Sequence, residues 1–356
     1  MRSRPSRDLA RPASKSAFEA PPRRFPRLRD RLRQRAGSAV VTGAFQGLST
    51  LGRALPPSRP ERHGVEVLRD VPYLGTGRKE HTLDVYRPAD ARGPLPVVLY
   101  VHGGGFRILS KDTHWLMALA FARRGYVVFN VNYRLAPTFP FPAALEDTSA
   151  AYAWVADNAH RYGGDLSRFV VAGESAGANL TLGLTLSATC ERPEPWAQAV
   201  FSTGLVPSAI APACGLFEVG NPERFRQMGI SRFLYDRLAE VTAAYVDEST
   251  LALPEWRALA DPLVLLEQGV APARPLPPTF APCGTKDPLV DDTRRLKRAL
   301  DAHGVVCEAP EYEGEIHAFH AFIWRKNARQ CWRDKLAFLA RHVDASWAER
   351  AKTTAA

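Results

Sequence analysis

From residue 65 onward, short β-rich apolar runs alternate with longer stretches that are apolar on one side. That pattern predicts strands joined by helices. Runs at 65–71 and 81–86 open the series. The next, 95–101, is almost wholly apolar, as expected of a strand covered on both faces. The spacing then predicts a helix over 113–124, a strand over 126–131 and a long helix over 143–161, in which Ala151, Trp154, Val155 and Ala159 share a face. Residues 168–172 read as a buried strand leading into an apolar helix that runs to about Cys190, and 199–202 reads as the following strand. Between 203 and 276 the alternation lapses into helix-like segments between prolines, with Phe217, Phe225, Met228, Phe233, Tyr235, Tyr245 and Trp256 among them. It resumes with a strand over 278–284, a helix over 293–303 and a strand over 305–312. The predicted class is α/β: a mostly parallel sheet with helices on both faces and reactive groups at the carboxyl ends of its strands. The expected division is a catalytic domain made of 61–202 and 277–346, a helical cap insertion at 203–276, a separate segment 1–60 and a tail 347–356. No internal repeat is visible.

Charge changes the picture at one end only. Of the 47 Lys and Arg, 14 fall in residues 1–60 against three acids, Asp8, Glu19 and Asp30. The remainder, with 33 basic and 34 acidic residues, is nearly neutral. The basic excess is therefore not spread over a folded face, which argues against a nucleic-acid partner. Residues 1–26 are rich in Arg, Pro and Ser and read as disordered. Residues 28–55 carry Leu28, Leu32, Val40, Val41, Phe45, Leu48, Leu51 and Leu55 among arginines, several at helical spacing. The five cysteines are odd in number and lack C-x-x-C spacing, which fits a reducing, cytoplasmic setting rather than a disulfide framework or zinc site. No apolar run approaches the ~18 residues needed to span a bilayer.

Candidate chemistry sits at the strand ends. Gly173-Glu174-Ser175-Ala176-Gly177 falls between a buried strand and a helix, the setting of a nucleophile elbow that lifts a serine hydroxyl above the sheet. Upstream, the strand 95–101 ends at His102-Gly103-Gly104-Gly105, whose backbone can curl and, with the Ala176 N–H, offer donors to an oxyanion. Downstream, Asp287 and His317 lie on loops after successive strands, in the order Ser, Asp, His. A neutral imidazole would take the serine proton, and a carboxylate would hold its tautomer. Other readings stay open. Asp261 repeats the local sequence around Asp287 but follows a helical stretch, Asp291 and Asp292 suit an N-cap and first turn, and His320 is a rival base. His102 suits shaping of the glycine turn. Phe106, next after the glycines, is a candidate substrate-pocket wall.

With these motifs, 65–343 resembles the hormone-sensitive-lipase family of α/β-hydrolases. The likeness rests on His102–Gly105, Asn132-Tyr133-Arg134-Leu135-Ala136-Pro137, Phe141-Pro142-Ala143-Ala144, the elbow, Asp287-Pro288-Leu289 and His317-Ala318-Phe319. The resemblance implies an α/β-hydrolase fold and a serine carboxylesterase. Ser175 would be its nucleophile, His317 its base, Asp287 the orienting acid, and the N–H groups of Gly104, Gly105 and Ala176 its oxyanion hole. Glu174 stands where the family commonly has aspartate, Ala178 where glycine is frequent and Thr138 where an acid is usual, departures that bear on substrate preference rather than on the reacting groups. The expected substrate is a small to medium apolar ester, with no metal and no cofactor. Amide deacetylation, lipase action at a membrane surface and ligand binding on a retired hydrolase scaffold are the alternatives. The basic segment would form part of the cap, lie on an anionic membrane as a peripheral anchor, or act as a transit peptide. A homodimer is left open.

Overall fold

The computed structural model describes residues 55–246 and 258–343, together with 43, 46, 47 and 49–53. The strands are β1 (Val65–Pro72), β2 (Thr82–Pro88), β3 (Leu95–Val101), β4 (Val127–Val131), β5 (Gly164–Glu174), β6 (Ala209–Ala213), β7 (Thr279–Phe280), β8 (Cys283–Gly284), β9 (Cys307–Glu308) and β10 (Glu311–Tyr312). Eight form one sheet in the order β1-β2-β4-β3-β5-β6-β7-β9. Its first two pairings are antiparallel and the rest parallel. β8 and β10 form a separate parallel pair.

Helices cover both faces: α1 (Trp115–Ala122), α2 (Ala143–Asn158), α3 (Ala176–Thr189), α4 (Pro195–Ser202), α5 (Glu223–Gln227), α6 (Arg232–Tyr245), α7 (Pro262–Glu267), α8 (Val290–Ala302) and α9 (Lys326–Val343). Successive side chains of a strand point to opposite faces. Accordingly Val97, Leu99 and Val101 join one core cluster with Phe129 and Val171, whereas Val98 and Tyr100 join a second with Val128, Val170, Phe121 and Phe338. This two-sided burial explains why the strand sequences are unbroken apolar runs.

Three expectations need correction. Residues 199–202 are not a strand but the end of α4. Pro195 starts that helix at its first turn, and Trp196, Ala197 and Val200 are buried at helical spacing against α2 and α3. The next strand is β6, which falls inside the stretch 203–276 expected as cap and pairs with β5 in the main sheet. The single strands expected over 278–284 and 305–312 are each broken in two. Pro282 and Pro310 stand at the breaks, where a residue without an N–H cannot continue a ladder.

Residues 43, 46, 47 and 49–53 are helical. Trp115 Nε1 donates to Ser49 Oγ at 3.2 Å, and Arg53 is 3.5 Å from the Asp112 carboxylate, so this turn rests beside the start of α1. The expectations for residues 1–42 and for the tail fall outside the described residues. Among the described residues, no helix is long and apolar enough to cross a membrane.

Candidate active site

Ser175 sits between β5 and α3 with φ 56 and ψ −117, a strained backbone for any residue but glycine. It is half-buried while its neighbours on both sides are buried, so the turn brings this one side chain toward the surface. The turn closes because its flanks are bare. A Cβ on Gly177 would collide with the carbonyl oxygen of Val101, and one on Gly173 would stand 2.5 Å from the Gly177 carbonyl oxygen. The Ser175 N–H donates to Ala213 O at 3.0 Å, and Leu216 N–H donates to Ser175 O at 3.3 Å. The elbow is therefore tied to the end of β6.

The glycine loop lies against that elbow: a Cβ on Gly103 would stand 2.9 Å from Glu174 O and 3.4 Å from Ser175 Cβ. Gly104 has φ 110 and no room for a side chain beside Ile108 O. Ala176 opens α3, where an N–H has no intrahelical acceptor. Above Gly105 lies α6, with Val241 Cγ2 only 2.7 Å from where a Cβ would be. Arg107 and Glu240 pair at 2.7 Å across the same contact, joining the loop to α6.

The loops carrying Asp287 and His317 follow β8 and β10. Asp287 is buried, and its Oδ1 accepts from Leu289 N–H at 2.8 Å. Its Oδ2 lies 2.8 Å from His317 Nδ1, which turns Nε2 to the opposite side of the ring. Burial disfavours the imidazolium, but the Asp287 charge and hydrogen bond outweigh it and raise the His317 pKa. Cys214, next after Ala213, connects the two halves. Its N–H donates to Pro282 O at 2.9 Å, and its thiol lies with the Asp287 and His317 donor atoms within a mutual 4.8 Å. Among the described residues these three are the group that could hold a metal ion, and two of them are already hydrogen-bonded to each other. The structure thus brings Asp287 and His317 into contact beside the strand end to which Ser175 is bonded.

The other candidates are placed elsewhere. Asp261 Oδ1 accepts the N–H groups of Val219 and Gly220, a loop-anchoring role. Asp291 and Asp292 are first-turn residues of α8 but not its N-cap, which is Leu289. Asp292 is buried, pairs with Arg224 and accepts Phe217 N–H at 2.9 Å. His102 stacks on Tyr133 at 4.2 Å, its Nδ1 lies 2.7 Å from Gly103 O, and burial pushes its pKa down to about 3, so it shapes the turn. The pocket-wall expectation for Phe106 is corrected. With φ 59 its ring is turned inward, fully buried and stacked on Tyr245. His320 does not approach as a second base, because its Nε2 is 2.7 Å from Glu174. Val241, Cys214 and the Glu174 contacts were missed in the sequence, where nothing local links positions so far apart.

The family model of the alpha/beta hydrolase fold matches residues 98–321, a span that holds the glycine loop, the elbow and both later loops. The chain belongs to the α/β-hydrolase family. Within it the hydrolase is similar to carboxylesterase NlhH of Mycobacterium tuberculosis, 31% identical over 296 residues covering 80% of this chain and 83% of the relative. It is also similar to esterase LipI of the same organism, 31% identical over 283 residues, covering 75% and 78%. Among solved structures, the esterase from the archaeon Pyrobaculum calidifontis superposes with a TM-score of 0.67 at 27% identity, covering 88% of this chain and 98% of that one. The hydrolase is a carboxylic ester hydrolase of the hormone-sensitive-lipase-like branch.

Proposed function

We propose that this hydrolase cleaves small to medium apolar carboxylic esters through an acyl-enzyme on Ser175. His317 Nε2 takes the Ser175 hydroxyl proton as Oγ attacks the acyl carbonyl. Asp287 holds Nδ1–H and stabilises the imidazolium. The tetrahedral oxyanion is met by the N–H groups of Gly104, Gly105 and Ala176, aimed where charge develops. Collapse expels the alcohol, which receives its proton from His317. Water, deprotonated by His317, then attacks the acyl carbon and frees Ser175.

The observation that carries this reading is the Asp287–His317 pair beside the end of β6, the strand end to which the Ser175 backbone is hydrogen-bonded. The named activities of the relatives support the ester substrate. The apolar side chain of Val241 over Gly105 supports an apolar acyl or alcohol group.

Stoichiometric labelling by a fluorophosphonate, lost in Ser175→Ala together with p-nitrophenyl ester hydrolysis, is the expected result. A Ser175→Ala enzyme that kept most of its turnover would overturn the reading. A chain-length series of p-nitrophenyl esters then gives the acyl preference.

A further inference from the structure

Glu174 precedes the proposed nucleophile, and its carboxylate is buried where three stretches of backbone meet. Oε1 lies 2.8 Å from His114 Nε2. His114 is the N-cap residue of α1, and the glycine loop packs directly on the Glu174 side chain, where a Cβ on Gly103 would stand 3.2 Å from Glu174 Cγ. Oε2 has His320 Nε2 at 2.7 Å, a close contact off the line of a hydrogen bond. His320 belongs to the short turn Phe319–Ala321, capped by Ala318 at φ 56, the residue directly after His317. A buried carboxylate is a poor choice for filling space, since leaving water is unfavourable unless partners hold the charge. Here one partner, His320, comes from the turn that follows His317, the other caps α1, and the glycine loop packs on the Glu174 side chain itself.

We propose that Glu174 is a positioning residue that holds the nucleophile turn, the glycine loop and the His317 loop in one register. The inference rests on the Ser175–His317 reading above. It assigns His320 to orienting the base loop rather than to proton transfer.

Electrostatics give Glu174 a second effect. Burial opposes its charge, but His114 and His320 outweigh burial and hold its carboxyl well below the usual carboxylate range. That anion adds to Asp287 in raising the His317 pKa. The other groups that sense it are His102 on the glycine loop, Tyr100 on β3, Tyr133, Cys214 and Lys335 on α9. Burial raises the tyrosines and the thiol and keeps His102 neutral, so those four hold their charge state around neutrality. Burial also pulls Lys335 and His320 down.

Glu174→Gln keeps the shape and removes the charge. Its kcat on a soluble p-nitrophenyl ester should fall about tenfold or more, with KM held within about twofold, because alignment rather than ground-state binding is lost. The acid limb of kcat/KM should move to lower pH, since His317 loses a neighbouring anion. Glu174→Asp, charged but shorter, should restore the wild-type limb and only part of kcat. A merely structural role would lower Tm and the amount of active enzyme and leave the limb in place. A folded Glu174→Gln with wild-type kcat and limb overturns the proposal. Should that variant not fold, His320→Gln decides: a lower kcat at unchanged KM supports positioning, and wild-type kcat refutes it. Ser175→Ala, assayed in parallel, separates the two claims. If it stays active, the Ser175 reading fails and takes this inference with it. If it is dead while Glu174→Gln is normal, only this inference fails.

Discussion

Asp287 Oδ2 stands 2.8 Å from His317 Nδ1, with the carboxylate buried and its other oxygen held by the Leu289 N–H. A carboxylate fixed this firmly sets both the tautomer and the tilt of the ring. Asp287→Asn should fold normally and lower kcat by on the order of 10³–10⁴, the scale seen when a triad acid is neutralised. Steady-state kinetics with an active-site titration would measure it. A loss smaller than about tenfold would remove Asp287 from the mechanism.

The pH profile follows from the same pair. The base must be neutral in the free enzyme, and Asp287 raises its pKa over the opposing effect of burial. Activity should therefore decline as pH falls through a kinetic pKa above the ordinary histidine value of about 6.5. Asp287→Asn removes the charge and should move the residual limb downward. A wild-type limb below the ordinary value would contradict the raised pKa.

Val241 reaches down from α6 onto Gly105. Enlarging it should restrict the space beside the proposed oxyanion donors. Val241→Phe is expected to shift preference toward shorter acyl chains and Val241→Ala toward longer ones, by about tenfold in relative kcat/KM, the scale of one or two methylenes in an apolar pocket. Identical chain-length profiles for all three enzymes would place the acyl pocket elsewhere.

Gly177 faces the carbonyl oxygens of Val101 and His102 at the ends of β3 and the glycine loop. Gly177→Ala must push backbone aside where β3 ends and the buried start of the glycine loop begins. The expected cost is about 3 kcal/mol or more, the range of severe core substitutions. Chemical denaturation would show it, and a variant as stable as wild type would mean that the elbow packs more loosely than the geometry indicates.

The chain's layout was legible wherever one residue type did one job. The doubly covered strands β3, β4 and β5 read as apolar runs, and the glycine pattern around Ser175 has no other easy explanation. Legibility failed where an apolar run served two periods: Ala199-Val200-Phe201 suits a strand until Pro195 and Trp196 are counted as the opening turn of a helix. It failed again at Pro282 and Pro310, single residues that divide strands without altering the apolar pattern. Phe106 followed the glycines as a pocket residue would, yet a positive φ sends its ring into the core, and no local signal reports φ. Ser175, Asp287 and His317, the residues of the proposed triad, could be nominated from their order along the chain. The Glu174 contacts could not, because His114 and His320 carry no motif and meet only when α1 and the base loop are packed.

The sheet order has a consequence for how the protein becomes competent. Ser175 leaves β5 near the middle of the sheet, whereas Asp287 and His317 follow β8 and β10, strands formed by the last part of the sequence. On the proposed mechanism, a ribosome that has delivered everything up to β6 has made the hydroxyl and the glycine loop but not the residue that would accept the proton. On that reading the nascent protein is chemically silent until the segment from β8 onward docks, so the first turnover on refolding is a stopwatch for its closure.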